Sequence, residues 1–265
     1  RRQRQMCIRD SSIAMLIVAL AAPFLGVFGD IRGMRKKLFS FFMLLGVAAC
    51  AGMAFTPGMD FTSGPVAAGK VASLILVLYI VSVIGFDASA IYYDAFLTDV
   101  TIEDRMDKVS TMGYGLGYIG GSTIPLLIFL IMNLVGVPML TCLAFVFGLT
   151  AVWWLAFSLP LLKNCEQTSG KPYEKGDVAR SIKGVGTTIK EIIANKPMLI
   201  YILSYFFYID GVHTVISMAT TYGTNLGLDS TGMMLALLLV QILGLPFCLL
   251  YIKCSEKFGA RTMVG

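Results

Sequence analysis

Long apolar segments recur along this chain of 265 residues, and each is long enough to cross a lipid bilayer. A helix rises about 1.5 Å per residue, so roughly 20 residues cross a hydrocarbon layer of about 30 Å. We identify seven such segments: Ser12–Phe28, Leu38–Thr56, Val71–Leu97, Thr111–Asn133, Pro138–Leu161, Met198–Thr221 and Thr231–Ile252. Because backbone N–H and C=O groups find no water inside a bilayer, each segment is expected to be a helix. The predicted fold class is all-α, a polytopic transmembrane helical bundle.

Composition excludes other classes of protein. Charged residues make up 14% of the chain and hydrophobic residues 57%, whereas soluble domains carry roughly 25% charged residues. The net charge of +5 is distributed over short loops, which argues against a nucleic-acid partner. The six cysteines form no CxxC motif and the chain has no paired histidines, which argues against a metal site or a disulfide framework. No cofactor is predicted.

The basic residues segregate into alternate loops. Beyond residue 10 the chain has 17 lysines and arginines, and 16 of them follow the first, third, fifth and seventh segments. Lys70 alone lies in a loop of the other set. Positive residues concentrate on the cytoplasmic side of membrane proteins, so these four loops are predicted to face the cytoplasm.

A loop motif after the first segment returns after the seventh. The first copy reads GVFGDIRGMRKK from Gly26, and the second reads EKFGAR from Glu256. A constant offset of 226 residues places Asp30 on Glu256, Gly33 on Gly259 and Arg35 on Arg261. Transporters are commonly built from repeated halves, and such a pair of loops is the trace that this construction leaves.

The motif resembles the loop signature G-x-x-x-D-R-x-G-R-[RK] of the major facilitator superfamily, with Ile31 and Met34 in place of its usual basic residues and Glu256 in place of Asp. In that family the acidic residue and the basic cluster form a cytoplasmic charge network that helps hold one access state. The resemblance implies conformational gating by Asp30, Gly33, Arg35, Lys36, Glu256, Gly259 and Arg261. Asp99 and Arg105, which follow the third segment, are further candidates for the gating loops. Ordinary cytoplasmic loop charge is the alternative interpretation.

Two longer stretches strengthen the resemblance, GFDASAIYYDAFLTDVTIEDRMDKVSTMGYGLGYIGG and YFFYIDGVHTVISMATTYGTNLGLDSTGMMLALLLVQILGLP. They are similar to bacterial "unknown major facilitator" transporters, relatives of the fungal vacuole effluxer that exports amino acids during autophagy. The implied fold is an incomplete major facilitator bundle with about seven of twelve helices, the second to the eighth. The implied membrane is the bacterial inner membrane, or the vacuolar membrane in a eukaryote.

That alignment divides the chain into four parts. Residues 1–11 are expected to be a non-native segment, and residues 12–162 the amino-terminal bundle with helices two to six. Residues 163–197 would form a cytoplasmic linker, and residues 198–265 would begin the second bundle with helices seven and eight.

Three acidic residues, Asp87, Asp94 and Asp210, fall inside apolar segments. An ionisable group there costs about 2.5 to 3.5 kcal/mol on insertion scales, so it is expected to face a cavity or the bundle interior. Asp87 and Asp94 are two helical turns apart and share a face, and Asp210 begins a polar face. That face continues with His213, Thr214 and Ser217.

By the resemblance these two faces belong to helices four and seven, which line the central cavity of the superfamily. We therefore expect a shared pocket that binds a cationic or zwitterionic solute or carries protons. In the alternative interpretation these groups pair with one another and stabilise helix packing. Asp94 lies nearer the cytoplasmic end and is also a candidate for a gating network with Asp99, Glu103 and Arg105.

Gly113 and Gly117, one helical turn apart in the fourth segment, predict a close helix contact.

The favoured function is secondary-active transport of a small solute, plausibly an amino acid and coupled to protons, by a multi-pass protein whose other partner is the lipid bilayer. A membrane receptor or assembly protein without transport is the alternative. A membrane-embedded hydrolase is disfavoured, since Asp87 and Asp94 lie about 10 Å apart along an ideal helix. The chain is not expected to be an enzyme.

Overall fold

The computed structural model describes residues 21–59, 65–170, 172, 177–259 and 262. Within these residues the regular structure is helical, and no β-strand occurs. The predicted segment Ser12–Phe28 lies partly outside the described residues, and residues 21–29 are helical, here named α1.

Nine further helices follow in chain order. They are α2 Met34–Phe55, α3 Pro65–Ala95, α4 Leu97–Val100, α5 Met106–Gly117, α6 Ile124–Leu134, α7 Met139–Asn164, α8 Asp177–Ala194, α9 Lys196–Asn225 and α10 Ser230–Phe258. Short 3-10 turns at Thr56–Gly58 and Glu103–Arg105 connect some of them.

Six helical stretches of the described chain are long and apolar enough to cross a membrane. They are Met34–Gly58, Gly69–Val100, Glu103–Leu134, Met139–Asn164, Lys196–Ile216 and Thr231–Phe258. These stretches match the second to the seventh predicted segments, and the prediction of an all-α membrane bundle is confirmed.

The described residues form two compact units. One unit contains residues up to 173 together with those from 241 onward, and the other contains the residues between them. The core of the first unit lies where α2 packs on α3 and α7, around the buried side chains of Phe39, Met43, Tyr92, Phe96 and Ala151. These apolar side chains come from segments far apart in sequence, and their packing brings α2, α3 and α7 together.

Two glycines allow α2 and α3 to cross closely. A Cβ added to Gly85 would lie 2.6 Å from both Cα and N of Gly46, so neither backbone could stay in place. Small residues permit such approach between membrane helices, where packing and not water exclusion drives association.

A π-helical turn, Tyr118–Thr123, separates α5 from α6. Pro125, the second residue after the turn, has no N–H to donate to it, and Gly120 and Gly121 are weak helix formers. The indole Nε1 of Trp153 donates to the carbonyl oxygen of Gly120 at 2.6 Å. This bond satisfies a carbonyl group that the widened turn would otherwise leave open.

Candidate functional site

Arg35, in the first turn of α2, is the centre of a polar cluster at the loop motif. Its side chain is 6% exposed, and its Nη1 forms an ion pair with Oδ2 of Asp99 at 2.5 Å. The same nitrogen donates to the carbonyl oxygen of Ala95 at 3.0 Å and to Oγ of Ser169 at 3.2 Å. The pair links α2 to the end of the next membrane-spanning stretch.

Asp99 is fully buried at its side chain, and the segment after α7 supplies most of its hydrogen bonds. Its Oδ1 accepts from N and Oγ1 of Thr168 at 3.1 and 3.0 Å, and from N and Oγ of Ser169 at 2.9 and 2.7 Å. A buried carboxylate needs such donors in addition to its ion-pair partner, because its lone pairs have lost water. Arg35 and residues 168–169 together supply them.

Gln167 connects the same segment to the backbone of the loop. Its Oε1 accepts from N of Gly33 at 2.9 Å and from N of Arg35 at 3.3 Å, and its Nε2 donates to the carbonyl oxygen of Gly29 at 3.0 Å. The first amides of a helix have no partner within it, so Gln167 caps α2 from 132 residues away. Lys36 adds a bond from its Nζ to the carbonyl oxygen of Cys165 at 3.1 Å.

Residues 165–169, which we name the latch segment, were not among the predicted site residues. An uncharged polar run, Gln167-Thr168-Ser169, directly after a membrane span is a weak signal that could have indicated them. Such side chains are suited to capping helix ends and binding a carboxylate.

Asp30 is a minor member of this cluster. Its side chain is 80% exposed, and its Oδ1 lies 3.7 Å from Nη2 of Arg35. Exposed pairs at such distances contribute little to stability. Asp99 is therefore the principal acidic partner of Arg35 among the described residues.

Glu256, in the second copy of the motif, also forms an ion pair. Nζ of Lys108, near the start of α5, lies 2.6 Å from Oε1 of Glu256, near the end of α10, and both side chains are 57% exposed. Gly259 has φ 83° and Gly33 has φ 80°, so both equivalent glycines adopt the left-handed conformation that favours glycine. The repeat thus extends to backbone conformation, whereas Arg261 lies outside the described residues.

Arg105 is exposed and forms no ion pair with any other described residue. It lines a cavity of about 590 Å³ together with Lys108 and Glu256. Glu103 is exposed in the same turn.

A larger cavity of about 620 Å³ lies beside Asp94. Its wall includes three tyrosines, Tyr93, Tyr114 and Tyr118, and residues from α3, α5, α7 and α10. Gly113 and Gly117 also line it, and no described atom lies within 4 Å of a Cβ built on either glycine. The predicted helix contact at this pair is not found among the described residues. The close approach is instead at Gly115, where an added Cβ would lie 3.0 Å from Cβ of Cys248.

The remaining predicted site residues are divided between the two units. Asp87 is half-buried in the first unit and does not line either described cavity. Asp210, His213 and Thr214 belong to the second unit and are exposed, and the side chain of Ser217 lies outside the description. The meeting of Asp87 with Asp210 stays a prediction.

The helices long and apolar enough to span a membrane define a multi-pass integral membrane protein, and the repeated loop motif with the buried Arg35–Asp99 pair agrees with the major facilitator type. A family model described as vacuole effluxer Atg22 like matches residues 6–264, and the chain belongs to that family.

Individual relatives agree with this assignment. The chain is 39% identical over 259 residues to the "Uncharacterized MFS-type transporter YxiO" of Bacillus subtilis strain 168, and this alignment covers 96% of the chain and 58% of the relative. It is 26% identical over 177 residues to "Autophagy-related protein 22-1" of Penicillium rubens, covering 62% of this chain and 30% of the relative. The chain thus spans little more than half the length of the bacterial relative. No solved structure matches it significantly.

Proposed function

We propose that the protein to which this chain belongs is a secondary transporter that moves a small solute by alternating access. The observation that carries the proposal is the cavity of about 620 Å³ beside Asp94, which is lined by helices that are long and apolar enough to span a membrane. Small-molecule sites have volumes of about 300 to 1,000 Å³ and combine apolar walls with a few polar groups. The family description and the name of the Bacillus relative support transport over a receptor or assembly role.

The chemistry of this cavity favours a solute with an ammonium group. Asp94 supplies a carboxylate, and Tyr93, Tyr114 and Tyr118 supply aromatic faces that attract cations. An amino acid fits this combination in size and charge. Proton coupling belongs to the proposal because carboxylates within membrane spans are the usual proton carriers.

The Arg35–Asp99 pair is assigned a gating role in this proposal. Breaking a buried ion pair by removing one partner costs about 3 to 5 kcal/mol, which exceeds the energy that most surface contacts contribute. A cluster that includes the latch segment can therefore favour one arrangement of α2, α3 and the linker. A change of access state would require its rearrangement.

The test is transport by the full-length protein in sealed vesicles, with labelled amino acids and an imposed pH gradient. Asp94→Asn is expected to reduce the initial rate at least about tenfold, because the amide lacks the negative charge that binds an ammonium group. Asp87→Asn and Asp210→Asn test the two other acids in spans. Glu191→Gln, at an exposed acid of α8 that forms no ion pair with another described residue, is the matched control.

Two results would contradict different parts of the proposal. Transport by the wild-type protein is measured over a panel of all amino acids and simple amines. Rates equal to those of empty vesicles would reject transport of this solute class. Full activity in Asp94→Asn would reject the site assignment while leaving transport in place.

A further inference from the structure

The segment predicted to be a polar linker contains a helix with one apolar face. Helix α8, Asp177–Ala194, has Val185, Ile189, Ile192 and Ile193 within about 100° of arc, since successive residues turn by about 100°. The sequence continues the same spacing towards the amino terminus with Val178 and Ile182.

The apolar face is accessible and the opposite face is polar. Ile189 and Ile193 are 49% and 58% exposed. Thr187 and Lys190 lie away from that face, and the sequence of α8 holds two more basic residues, Arg180 and Lys183. Such a helix, with a strong apolar face and basic residues elsewhere, is typical of one that lies in a membrane surface.

The position of α8 next to a membrane span supports this interpretation. Asn195 alone separates α8 from α9, whose residues Lys196–Ile216 are long and apolar enough to cross the membrane. Asn195 is extended, with φ −93° and ψ 92°, and its Oδ1 accepts from N of Met198 at 3.4 Å. The helix therefore breaks at Asn195, and α9 begins with its own cap and with Pro197 in its first turn.

We propose that α8 lies in the plane of the cytoplasmic membrane surface, with its apolar face among the lipid acyl chains and its basic residues near the lipid phosphates. The spanning stretch of α9 begins two residues after the end of α8, so little chain entropy is lost on docking. The basic residues of α8 are complementary in charge to an anionic leaflet. Helix α8 is not among the spanning stretches of the described chain. The proposal does not depend on transport.

Site-directed spin labelling of the full-length protein in nanodiscs of phosphatidylcholine and phosphatidylglycerol tests the proposal. The native cysteines are first replaced by serine, and single labels are attached through Ile189→Cys, Ile193→Cys or, as the matched control on the polar face, Thr187→Cys. Oxygen concentrates in the bilayer, and a nickel chelate stays in water. The ratio of oxygen to nickel collision rates should be at least about fivefold higher at 189 and 193 than at 187.

Each alternative has a distinct result. Similar ratios at the three positions, with high nickel access, would place α8 in water and overturn the proposal. Low access of both reagents at 189 and 193 would place the apolar face against protein and would also overturn it.

A second measurement uses the unmodified protein and so does not depend on folding of the labelled variants. Nanodiscs that contain lipids with a diazirine near the ester end of the acyl chain are irradiated, and the digested protein is analysed by mass spectrometry. We expect lipid adducts on residues 184–194 at yields comparable to those on α9. Adducts on α9 without any on residues 184–194 would overturn the proposal.

Discussion

Arg35 and Asp99 form a buried ion pair at 2.5 Å although they lie 64 residues apart in the chain. The side chain of Asp99 is fully buried and that of Arg35 is 6% exposed. The pair joins the repeated loop motif to the end of a membrane span, and the latch segment covers it through Thr168 and Ser169.

Asp99→Asn should destabilise the protein strongly, because it leaves the Arg35 guanidinium buried without a counter-charge. Removing one partner of a buried pair costs about 3 to 5 kcal/mol. Chemical unfolding in mixed micelles measures the change. Asp30→Asn is the matched control, since Asp30 is 80% exposed and its loss should cost less than about 1 kcal/mol. Equal losses in the two variants would contradict the assigned partners.

Gln167→Ala should loosen the latch segment without removing a charge. The variant loses three hydrogen bonds, to Gly33, Arg35 and Gly29, each contributing about 0.5 to 1.5 kcal/mol. Trypsin is expected to cleave the lysine-rich linker at least several times faster in this variant. Thr187→Ala, at an exposed position of α8, serves as the control and should digest at the wild-type rate. An unchanged rate in Gln167→Ala would refute the capping role.

Gly85→Ala should separate α2 from α3. Its Cβ would overlap the backbone of Gly46, and overpacking typically costs about 1 to 3 kcal/mol or more. Gly113→Ala is the comparison, because no described atom lies within 4 Å of its added Cβ. Thermal unfolding in detergent should show a lower midpoint for Gly85→Ala only. A similar decrease for both variants would show that the close crossing is not the cause.

Lys108 and Glu256 should show a small coupling energy. Both side chains are 57% exposed, and exposed pairs contribute about 0.2 to 1 kcal/mol. A double-mutant cycle with Lys108→Ala and Glu256→Ala measures this energy from unfolding, and high salt should reduce it. A coupling above about 2 kcal/mol, or one insensitive to salt, would mean that the pair is shielded from solvent in the intact protein.

The candidate gating residues could be predicted only in part. Arg35, Lys36 and Asp99 carried recognisable signals, a basic cluster after a span and an acid near a helix end. Their pairing could not be read from the sequence, and Arg105 was an equally good partner for Asp99 on charge alone. Gln167 was missed because a capping side chain 132 residues away leaves no local pattern.

The amphipathic helix α8 was also missed, although Val185, Ile189 and Ile192 repeat at helical spacing. Helical periodicity is a local property, so the sequence alone is enough to predict this helix.

The membrane spans and the helical class were determined by the sequence alone, since a bilayer requires apolar side chains and internal backbone hydrogen bonds over a set length. The alternate placement of basic residues predicts an orientation for the same kind of reason. Tertiary structure alone decided which charges pair and which glycines pack. Gly85 meets a neighbouring backbone and Gly113 lines a cavity, yet both are glycines within apolar segments. Ion pairs and close contacts act over a few ångströms, and only the packing of distant segments sets those distances.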